Sequence, residues 1–572
     1  MAIMFQERAI DRQFASFLCR QSVGGGSDIF RLLVSLLSSA VGMGNICLDL
    51  GDCAGKTVSV DGKEIVLPDV HALQELLRGM ETVGLPDQHR PLVLDRSGRL
   101  YLYRYWRYEH DLAVRLLQKA SATAGSIDEA LLQKGLARLF PDGDGDSIDR
   151  QKEAASAALH KQFCVISGGP GTGKTSTVVR ILALLLEQKD GGKHKIAMTT
   201  PTGKAAVRLK ASVNNIRQTL DCSDEIKLAI PDDVVTLQRL LGAVSGSSRF
   251  RHSARNPLPF DTVIVDEASM IALPLMTALV AALKPTARLV LLGDTNQLAS
   301  VEAGAVLGDI CSTGEGGNLV TLEKNYRFQA GSGIAEISLA VNAGSDGEAL
   351  ALLKCTTLHG IAWRELPSRE DLRRSLAKKV LEGYRYYLEA ESASEALERF
   401  DRFRILCALR DGPYGVGGLN SYVESILGRE GVIKPESRVY RGRPILVTVN
   451  DYSMRLFNGD TGILFPDPES GGAVRAFFPD LDGGVRSVSP ERLPLHETAF
   501  AMTIHKSQGS EFDRVLLLLP PVESDILTRE LIYTGITRAK ESVEIWASEG
   551  VFCRAVRKKI ERRSGLRDAL MA

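Results

Sequence analysis

The feature that most constrains this chain is a glycine-rich stretch at residues 168–175, with the sequence GGPGTGKT. It fits the spacing G-x-x-x-x-G-K-[ST] of a phosphate-binding loop. Residues 163–166 before it are apolar and suit a buried strand, and residues 178–186 after it carry the apolar face of a helix. This order of strand, loop and helix predicts a nucleoside-triphosphate site. The alternative is a glycine-rich turn that binds nothing.

Each part of the loop has an expected role. The glycines let several backbone N–H groups face one anion, and the following helix adds the positive end of its dipole. We expect Lys174 to reach the β- and γ-phosphates and the hydroxyl of Thr175 to ligate Mg²⁺. The residues expected to hold the nucleotide are Gly168, Gly169, Pro170, Gly171, Thr172, Gly173, Lys174 and Thr175.

The composition is that of a soluble protein with several domains. Its 572 residues are enough for about three or four domains, and 44% of them are apolar. No run approaches the ~18 apolar residues of a membrane span, and charges begin at Glu7, so we expect neither a span nor a signal peptide. The nine cysteines form no C-x-x-C pair. This argues against structural zinc and disulfides and favours the cytoplasm.

The charge balance limits how the chain could bind nucleic acid. The 70 basic and 70 acidic residues cancel, which argues against coating nucleic acid through bulk positive charge. A groove lined by a few basic and aromatic groups remains compatible with this balance. Residues 554–567 are a local exception, with seven basic residues and one acidic residue. They predict either a solvated helix end or a contact with nucleic acid or a partner.

Residues 1–145 are expected to form a separate N-terminal domain. The pattern predicts a helix at residues 29–41 and a hairpin that pairs residues 91–94 with 99–103. The turn-rich sequence PDGDGD at residues 141–146 predicts the linker that ends this domain. A dense set of aromatic residues suits packing in a small domain or at a protein interface better than stacking on bases. These residues are Tyr101, Tyr103, Tyr105, Trp106 and Tyr108.

Two α/β units are expected after this linker. Apolar strands that alternate with helices predict a parallel sheet of the RecA-like kind in residues 146–330, with a small insertion at about 212–258. A second RecA-like domain is expected from residues 331–433 and 495–572. The expected strands lie at residues 163–166, 195–199 and 262–265 and within 288–297 and 319–327, and in the second domain at 403–409, 499–503, 514–519 and 542–546.

The residues between these parts have a different texture. Short strands separated by glycine turns are expected at residues 444–449, 461–465 and 472–478. They predict a small antiparallel β module over residues 434–494, inserted in the second RecA-like domain and SH3-like in type.

Polar residues at the ends of the expected strands are candidates for chemistry. Asp266 is expected to help hold Mg²⁺, and Glu267 to orient and deprotonate water. The alternative for this pair is a helix N-cap. Gln297 is a candidate contact to the γ-phosphate, and Gln151, about twenty residues before the phosphate loop, is a weaker candidate contact to adenine.

Two arginines complete the expected site. Arg327 follows the last strand of the first sheet, and Arg538 lies in the second sheet domain. Two sheets with an arginine each indicate a nucleotide clamped between two lobes. Both guanidiniums would then stabilise charge on the transferring γ-phosphoryl group.

The order of the motifs resembles that of superfamily 1 DNA helicases. GGPGTGKT, TTPTGKAA, VIVDEAS, LLGDTNQ, LEKNYR, TIHKSQGSEF and YTGITRAK follow one another along the chain. NDYSMRLFNGDTG at residues 450–462, FASFLC at 14–19 and ICLDL at 46–50 resemble the RecD branch, the alpha subunit of exodeoxyribonuclease V. The resemblance runs from near residue 10 to about residue 550.

The resemblance implies an ATP-dependent 5′–3′ DNA helicase whose ATPase activity depends on single-stranded DNA, with ATP and Mg²⁺ as cofactors. It implies assembly with RecB and RecC homologues at double-strand DNA ends, where the complex processes breaks for homologous recombination repair and degrades linear DNA. The N-terminal domain would dock on RecC, and the nuclease of the complex would belong to RecB. It implies adenine contact for Gln151, γ-phosphate sensing for Gln297 and arginine-finger roles for Arg327 and Arg538.

Two loops at strand ends are candidates for holding DNA phosphates, because hydroxyl groups and helix N-termini suit such contacts. Closure of the lobes around the nucleotide would then become directed movement along DNA. The candidate DNA-binding residues are Thr200, Thr202, Lys204, Thr503, His505, Lys506 and Gln508.

Three other functions remain open. A stand-alone 5′–3′ helicase of superfamily 1 is the nearest, and it would differ in having no need of partners. A non-catalytic scaffold that binds ATP is disfavoured by the intact Lys174, Glu267 and Arg538. A nucleotide kinase or transport ATPase is disfavoured by the second sheet and its arginine.

Overall fold

The structure is a computed structural model of the 572-residue chain. It describes residues 3–22, 26–125, 127–141, 149–188, 194–244, 246–247, 249–314, 317–328, 331–451, 453–480 and 484–572. The linker expected at residues 141–146 lies almost entirely outside this part of the chain.

The N-terminal unit contains two small sheets with strand orders β1-β3-β4 and β2-β7-β6-β5. The predicted hairpin is confirmed, since β6 and β7 pair antiparallel, and the predicted helix at residues 29–41 is α2. The elements are β1 (Ile3–Met4), α1 (Ala9–Gln21), α2 (Asp28–Gly42), β2 (Cys47–Asp49), α3 (Leu50–Cys53), β3 (Thr57–Val60), β4 (Lys63–Val66), α4 (Val70–Arg78), β5 (Val83–Gly84), β6 (Leu92–Leu94) and β7 (Arg99–Leu102), followed by α5 (Tyr103–Ser121) and α6 (Glu129–Leu139).

The first lobe is built on a six-stranded parallel sheet with the order β10-β9-β11-β12-β8-β13. Its elements are α7 (Arg150–His160), β8 (Phe163–Gly168), α8 (Lys174–Glu187), β9 (Ile196–Thr200), α9 (Gly203–Thr219), α10 (Asp224–Ala229), β10 (Val234–Thr236), α11 (Leu237–Leu240), β11 (Thr262–Val265), α12 (Leu273–Ala282), β12 (Arg288–Gly293), α13 (Val306–Cys311) and β13 (Leu319–Leu322). Residues 212–258 are not wholly an insertion as expected, because β10 (Val234–Thr236) within them is a strand of the main sheet.

The second lobe has a five-stranded parallel sheet with the order β14-β23-β22-β15-β21, and the β module is a separate five-stranded antiparallel sheet with the order β19-β18-β17-β16-β20. In chain order the elements are α14 (Gly333–Ala343), α15 (Asp346–Lys354), β14 (Ile361–Glu365), α16 (Arg369–Leu388), α17 (Ala393–Phe400), β15 (Phe403–Cys407), α18 (Val416–Arg429), β16 (Pro444–Val447), β17 (Thr461–Asp467), β18 (Ala473–Pro479), β19 (Val485–Val488), β20 (His496–Thr498), β21 (Ala501–Thr503), β22 (Phe512–Leu518), α19 (Arg529–Ile536), β23 (Ala539–Ala547), α20 (Glu549–Arg557) and α21 (Leu566–Met571).

These sheets confirm the expected fold class, which is two RecA-like parallel-sheet domains with an inserted β module and a separate N-terminal unit. The strands of both large sheets are buried on both faces, as parallel sheets require when helices cover them. The SH3-like type of the module stays a prediction. Among the described residues, no helix is both long and apolar enough to cross a membrane.

Helices α5 and α6 lie before the expected linker but pack on the first lobe. Trp106 and Leu112 of α5 share a core with Val263 and Met276 of the first lobe, and the hydroxyl of Thr277 donates to the carbonyl of Tyr108 at 3.0 Å. Helix α6 shares the core on the other face of the same sheet. Helices α5 and α6 therefore belong to the cores of the first lobe although they precede the expected boundary at residue 145, and most of the aromatic cluster is core packing.

Residues 559–572, which we call the strap, run from the second lobe back to the N-terminal unit. Arg563 makes a two-point ion pair with Asp52, with both N–O distances 2.8 Å, and Arg99 pairs with Asp568 at 2.6 Å. The basic segment at residues 554–567 therefore includes arginines that bind the protein itself.

Candidate nucleotide site

The phosphate loop lies between β8 and α8. Gly171 and Gly173 have φ values of +83° and +82°, in the left-handed region that favours glycine. Lys174 begins α8, and its Nζ donates to the carbonyls of Gly168 at 2.5 Å and Gly169 at 2.9 Å. The ammonium group therefore lies over the loop, beside the free N–H groups of the first turn of a 14-residue helix.

The segment after β13 holds an arginine against the phosphate loop. The N–H of Tyr326 donates to the carbonyl of Gly171 at 2.8 Å, and Asn325 Nδ2 donates to the carbonyl of Pro170 at 2.9 Å. A Cβ atom on Gly171 would lie 2.5 Å from Cβ of Arg327, so only glycine allows this approach. Arg327 and the phosphate loop therefore form one continuous surface.

A carboxylate from the second lobe fixes one end of this arginine. Glu511 Oε1 accepts from Arg327 Nη2 at 2.5 Å and also from Arg208 Nη2 of α9. Burial raises the pKa of Glu511, but these two arginines and Arg538 bring it below its ordinary value. Nη1 of Arg327 is buried without a hydrogen-bond partner among the described residues. That half of the guanidinium therefore has no partner among the described residues and is a candidate ligand for an anion.

Two carboxylates lie at the end of β11. Burial and the neighbouring Glu267 carboxylate raise the pKa of Asp266 to about 6, against the opposing effect of the Lys174 ammonium. Glu267 has φ +55°, which is uncommon for a residue with a side chain and is often found at functional sites. It precedes the short turn Ala268–Met270, but its side chain makes no capping hydrogen bond there. The helix-cap alternative therefore gains no support for Glu267.

A buried network joins the two lobes beside these carboxylates. Arg538 Nη2 donates to Gln297 Oε1 at 2.9 Å, and Gln297 Nε2 donates to Asp294 Oδ2 at 3.0 Å. The same oxygen accepts from the hydroxyl of Tyr533 at 3.0 Å. Burial raises the pKa of Asp294, whereas the Lys174 ammonium and these hydrogen bonds lower it. The structure thus brings the predicted Gln297 and Arg538 together.

Arg538 is held rigidly from its own lobe as well. Its Nε donates to the carbonyl of Thr534 at 3.1 Å, and its Nη1 donates to the carbonyl of Ser510 at 3.2 Å. Burial lowers the pKa of Arg538, and the carboxylates of Glu267 and Glu511 counteract this. The guanidinium is therefore buried at the contact between the lobes, bonded to Gln297 and stabilised by the charge of the Glu267 carboxylate.

Gln151 lies on the other side of the phosphate loop. Its Nε2 donates to the carbonyl of Thr172 at 3.1 Å, and its Oε1 accepts from Arg180 Nη1 at 3.1 Å. A Cβ atom on Gly173 would lie 2.4 Å from its Nε2. The amide therefore supports the loop in this structure, and its contact with adenine stays a prediction.

Sequence reasoning missed several residues of this site. Asn325 and Glu511 position Arg327. The hydroxyl of Tyr533 donates to Asp294, and Arg208 forms a second ion pair with Glu511. Asn325, Glu511 and Tyr533 lie inside motifs that the sequence made visible, LEKNYR, TIHKSQGSEF and YTGITRAK, so their position within these motifs was the available signal.

Of the candidate DNA-binding residues in the first lobe, Thr200 ends β9, and Thr202 and Lys204 lie at the start of α9. Thr202 Oγ1 accepts from the N–H of Ala205 at 3.3 Å and caps the helix, and the buried Thr200 donates to the carbonyl of Thr202 at 2.8 Å. The ammonium of Lys204 lies 5.6 Å from the centre of the Phe512 ring. Of these three candidates, Lys204 lines a cavity and the two threonines shape the turn beside it.

This cavity of about 650 Å³ lies between α9, α17 and the β module. Six basic and five acidic side chains line it, so its charge is mixed. The basic residues are Lys204, Arg208, Arg239, Arg455, Arg486 and Lys540.

The candidate DNA-binding residues of the second lobe run from Thr503, the last residue of β21, to Gln508. Thr503 Oγ1 accepts from the N–H of Lys506 at 3.3 Å, and burial lowers the pKa of His505. Gln508 is buried, and its Nε2 donates to the carbonyl of Leu298 at 2.9 Å. The structure therefore places Gln508 at the contact between the lobes, and none of the four candidates in this segment lines the cavity.

The residues present fit a nucleoside triphosphate with Mg²⁺. The unpartnered Nη1 of Arg327 and the ammonium of Lys174 offer positive charge above a loop shaped by left-handed glycines. The hydroxyl of Thr175 and the carboxylate of Asp266 are the oxygen donors that Mg²⁺ prefers.

Three regions of the chain match known families. Residues 151–303 match the AAA domain, and residues 498–545 match the UvrD-like helicase C-terminal domain. Residues 7–101 match the N-terminal domain of the RecBCD enzyme subunit RecD. This last match ends within β7, just before α5.

Whole-chain relatives agree with these matches. The RecBCD enzyme subunit RecD of Mycolicibacterium smegmatis is 39% identical over 94% of this chain and 93% of its own length, and that of Haemophilus influenzae is 36% identical over 82% and 80%. The ATP-dependent RecD2 DNA helicase of Deinococcus radiodurans is 29% identical over 78% of this chain but only 54% of its own length. A crystal structure of Pif1 helicase from Bacteroides with ADP-AlF3 and ssDNA aligns with a TM-score of 0.39 at 17% identity, covering 73% of this chain and 95% of that one. The chain belongs to the RecD family of RecBCD enzyme subunits.

Proposed function

We propose that this chain is an ATP-dependent DNA helicase that moves 5′ to 3′ on single-stranded DNA, as the RecD subunit of a cytoplasmic RecBCD complex. The observation that carries the proposal is the cleft itself. Arg327 and Arg538 come from different parts of the chain: Arg327 packs on the phosphate loop, and Arg538 donates to Gln297, which in turn donates to the Asp294 carboxylate. An enzyme that needed only one nucleotide fold would have no use for this second lobe.

Within the cleft, each residue has a distinct task. Lys174 and Arg327 would bind the β- and γ-phosphates, and Glu267 would orient a water and accept its proton. Mg²⁺, held by Thr175 and Asp266, would neutralise charge on the phosphate oxygens. Because Arg538 donates to Gln297, the second lobe would sense the γ-phosphate through this pair.

The contacts between lobes make closure relevant to DNA. Lys506 Nζ donates to Asn458 Oδ1 of the β module, and Phe457 and Asp460 of the same loop lie within 4 Å of a Cβ position on Gly203. The module therefore contacts the candidate DNA loops of both lobes. Movement of the lobes would shift these loops relative to each other, which is the step that translocation needs.

The first experiment measures ATP turnover with and without single-stranded DNA, and unwinding of duplexes that carry a 5′ or a 3′ overhang. It uses the chain alone and with RecB and RecC homologues. We expect DNA to stimulate turnover and the 5′ overhang to be unwound. Preference for the 3′ overhang would contradict the direction, and turnover indifferent to DNA would contradict the helicase assignment. Full unwinding that does not change with partners would favour the stand-alone alternative.

Glu267→Gln separates ATP binding from hydrolysis. It keeps size and hydrogen bonding but removes the base, so turnover should fall by ~10²-fold or more while ATP still binds. Binding measured with a fluorescent ATP analogue separates the two effects. Loss of binding together with turnover would show that Glu267 is structural.

We further propose that the N-terminal unit carries the partner surface. Ile10 and Phe17 of α1 are 65% and 51% exposed, and their spacing of seven places them on one helix face. Met4 and Val66 of the adjacent sheet are 81% and 67% exposed. Exposed apolar residues clustered on one small unit indicate a protein interface.

The double variant Ile10→Glu and Phe17→Glu should lose at least ~10-fold in affinity for RecB and RecC homologues, because it puts charge into an apolar interface. Its DNA-stimulated ATP turnover should persist. Size-exclusion chromatography of the mixed subunits measures assembly. Leu228→Glu, at an 83% exposed leucine of the first lobe, is the matched control and should assemble normally. Normal assembly of the double variant would place the partner surface elsewhere.

A further inference from the structure

Arg562 of the strap is half-buried against the loop at residues 300–304 of the first lobe. Its Nη2 donates to the carbonyl of Ser300 at 2.6 Å, and its Nη1 donates to the carbonyls of Gly304 at 2.7 Å and Glu302 at 2.9 Å. One planar guanidinium thus binds three backbone carbonyls of a single loop. Such a fork fixes the shape of a loop in a way that a lysine cannot reproduce.

The N-terminal unit also lies close to the same guanidinium. Gly44 has φ +93°, and a Cβ atom there would lie 3.0 Å from Cζ of Arg562. The carbonyl of Gly44 also accepts from the N–H of Gly304 at 2.9 Å. Next to this contact, Ile46 and Arg563 join the unit and the strap through a backbone hydrogen bond of 2.8 Å. Arg562 is therefore enclosed between the N-terminal unit and the loop.

The other end of this loop reaches the nucleotide site within three residues. Gln297 bonds to Arg538, and the adjacent Leu298 is held by the second lobe on both sides. Its N–H donates to Thr534 Oγ1 at 2.9 Å, and its carbonyl accepts from Gln508 Nε2 at 2.9 Å. A shift of the loop at residues 300–304 must therefore pull on Gln297 or break these bonds.

We propose that Arg562 is a positioning residue that couples the N-terminal unit to the γ-phosphate-sensing glutamine. The N-terminal unit fixes the position of Arg562, and Arg562 fixes the conformation of the loop at residues 300–304. The loop in turn holds Gln297 in hydrogen-bonding distance of Arg538. Binding of a partner to the N-terminal unit would thereby tune ATP hydrolysis at a distance. The inference rests on the proposed hydrolysis at this site.

The test compares Arg562→Ala with Arg563→Ala in the full chain. Arg563 is the adjacent strap residue, and its side chain binds Asp52 of the N-terminal unit and not the loop. For Arg562→Ala we expect kcat of DNA-stimulated ATP hydrolysis to fall about 10-fold or more, since small misplacements of catalytic groups have effects of this size. KM for ATP should stay within about twofold, because the phosphate loop is untouched. Arg563→Ala should keep the kcat of the unaltered chain, because it removes only a half-exposed ion pair, which contributes little to stability, and leaves the carbonyl contacts of Arg562 in place.

Gly44→Ala alters the same contact from the N-terminal unit, and it is the second test variant if Arg562→Ala does not fold. The added methyl group would lie 3.0 Å from Cζ of Arg562 on a left-handed backbone, so Gly44 and Arg562 must both shift, and kcat should fall without a change in KM. In a double-mutant cycle the two effects should be non-additive, because both act through one contact. A normal kcat in folded Arg562→Ala and Gly44→Ala would overturn the proposal, as would equal losses in Arg562→Ala and Arg563→Ala. Lys174→Gln, measured in parallel, separates the failures: its full activity would refute the site itself, whereas its inactivity beside a normal Arg562→Ala would refute only the coupling.

Discussion

Replacing Lys174 with glutamine should abolish ATP turnover while leaving the fold intact. Burial raises the pKa of both Asp266 and Asp294, and the ammonium, which lies over the phosphate loop, opposes this rise at both carboxyls, so it is the central positive charge of the site. A neutral amide cannot offset the charge of the β- and γ-phosphates. The expected loss is at least ~10³-fold, the scale of groups that clamp transferring phosphoryl groups. Phosphate release at saturating single-stranded DNA measures it.

Lys284→Gln is the matched control for this substitution. Lys284 makes an ion pair with Asp261 at 3.0 Å, away from the phosphate loop. Its ammonium is partly exposed, so the pair contributes only ~0–1 kcal/mol to the free energy of unfolding. This variant should turn over ATP normally. Normal turnover in a folded Lys174→Gln variant would remove the loop from the active site.

Arg538→Lys should reduce hydrolysis by ~10³-fold and ATP binding far less, because arginine fingers act on the transition state. The guanidinium reaches Gln297, Thr534 and Ser510 at once, and a single ammonium cannot keep this geometry. We also expect DNA to lose its stimulation of the remaining turnover, since the bond between Arg538 and Gln297 joins the lobes. Single-turnover hydrolysis and analogue binding measure the two effects separately.

A buried arginine can matter for stability alone, so the control must share that property. Arg404 is also fully buried in the second lobe, and it binds the carbonyl of Ala499 at 2.9 Å. Arg404→Lys should lower the melting temperature but leave the turnover of the folded protein near normal. If Arg538→Lys behaves like this control, Arg538 is structural and does not act on the γ-phosphate.

Local signals made the phosphate loop, the hairpin of β6 with β7 and most strands of both large sheets predictable from sequence. The loop depends on glycine spacing and on its flanking strand and helix, all within about 25 residues. The strands of a parallel sheet are continuous apolar runs, which short windows detect. The short edge strands β10 and β14 lack such runs, and they were missed.

Contacts between distant parts of the chain were not predictable. Nothing in the sequence indicates that Glu511 binds Arg208 and Arg327, because each pair is separated by more than 180 residues. Helices α5 and α6 lie before a linker-like sequence, yet their apolar faces belong to the core of the first lobe. Amphipathic periodicity shows that a helix has a buried face but not which sheet covers it.

The contacts of the strap with the N-terminal unit can form only late in synthesis of the chain. The two sheets of the N-terminal unit end at residue 102 and leave the ribosome before the two lobes, but Arg562, which lies beside Gly44, follows about 460 residues later. At ~5–20 residues per second this interval is roughly 20–90 s. During that time the unit can fold, but it lacks Arg562 and the Arg563–Asp52 ion pair that join it to the motor. A partner that bound the nascent unit in this interval would therefore meet it before it is fastened in place.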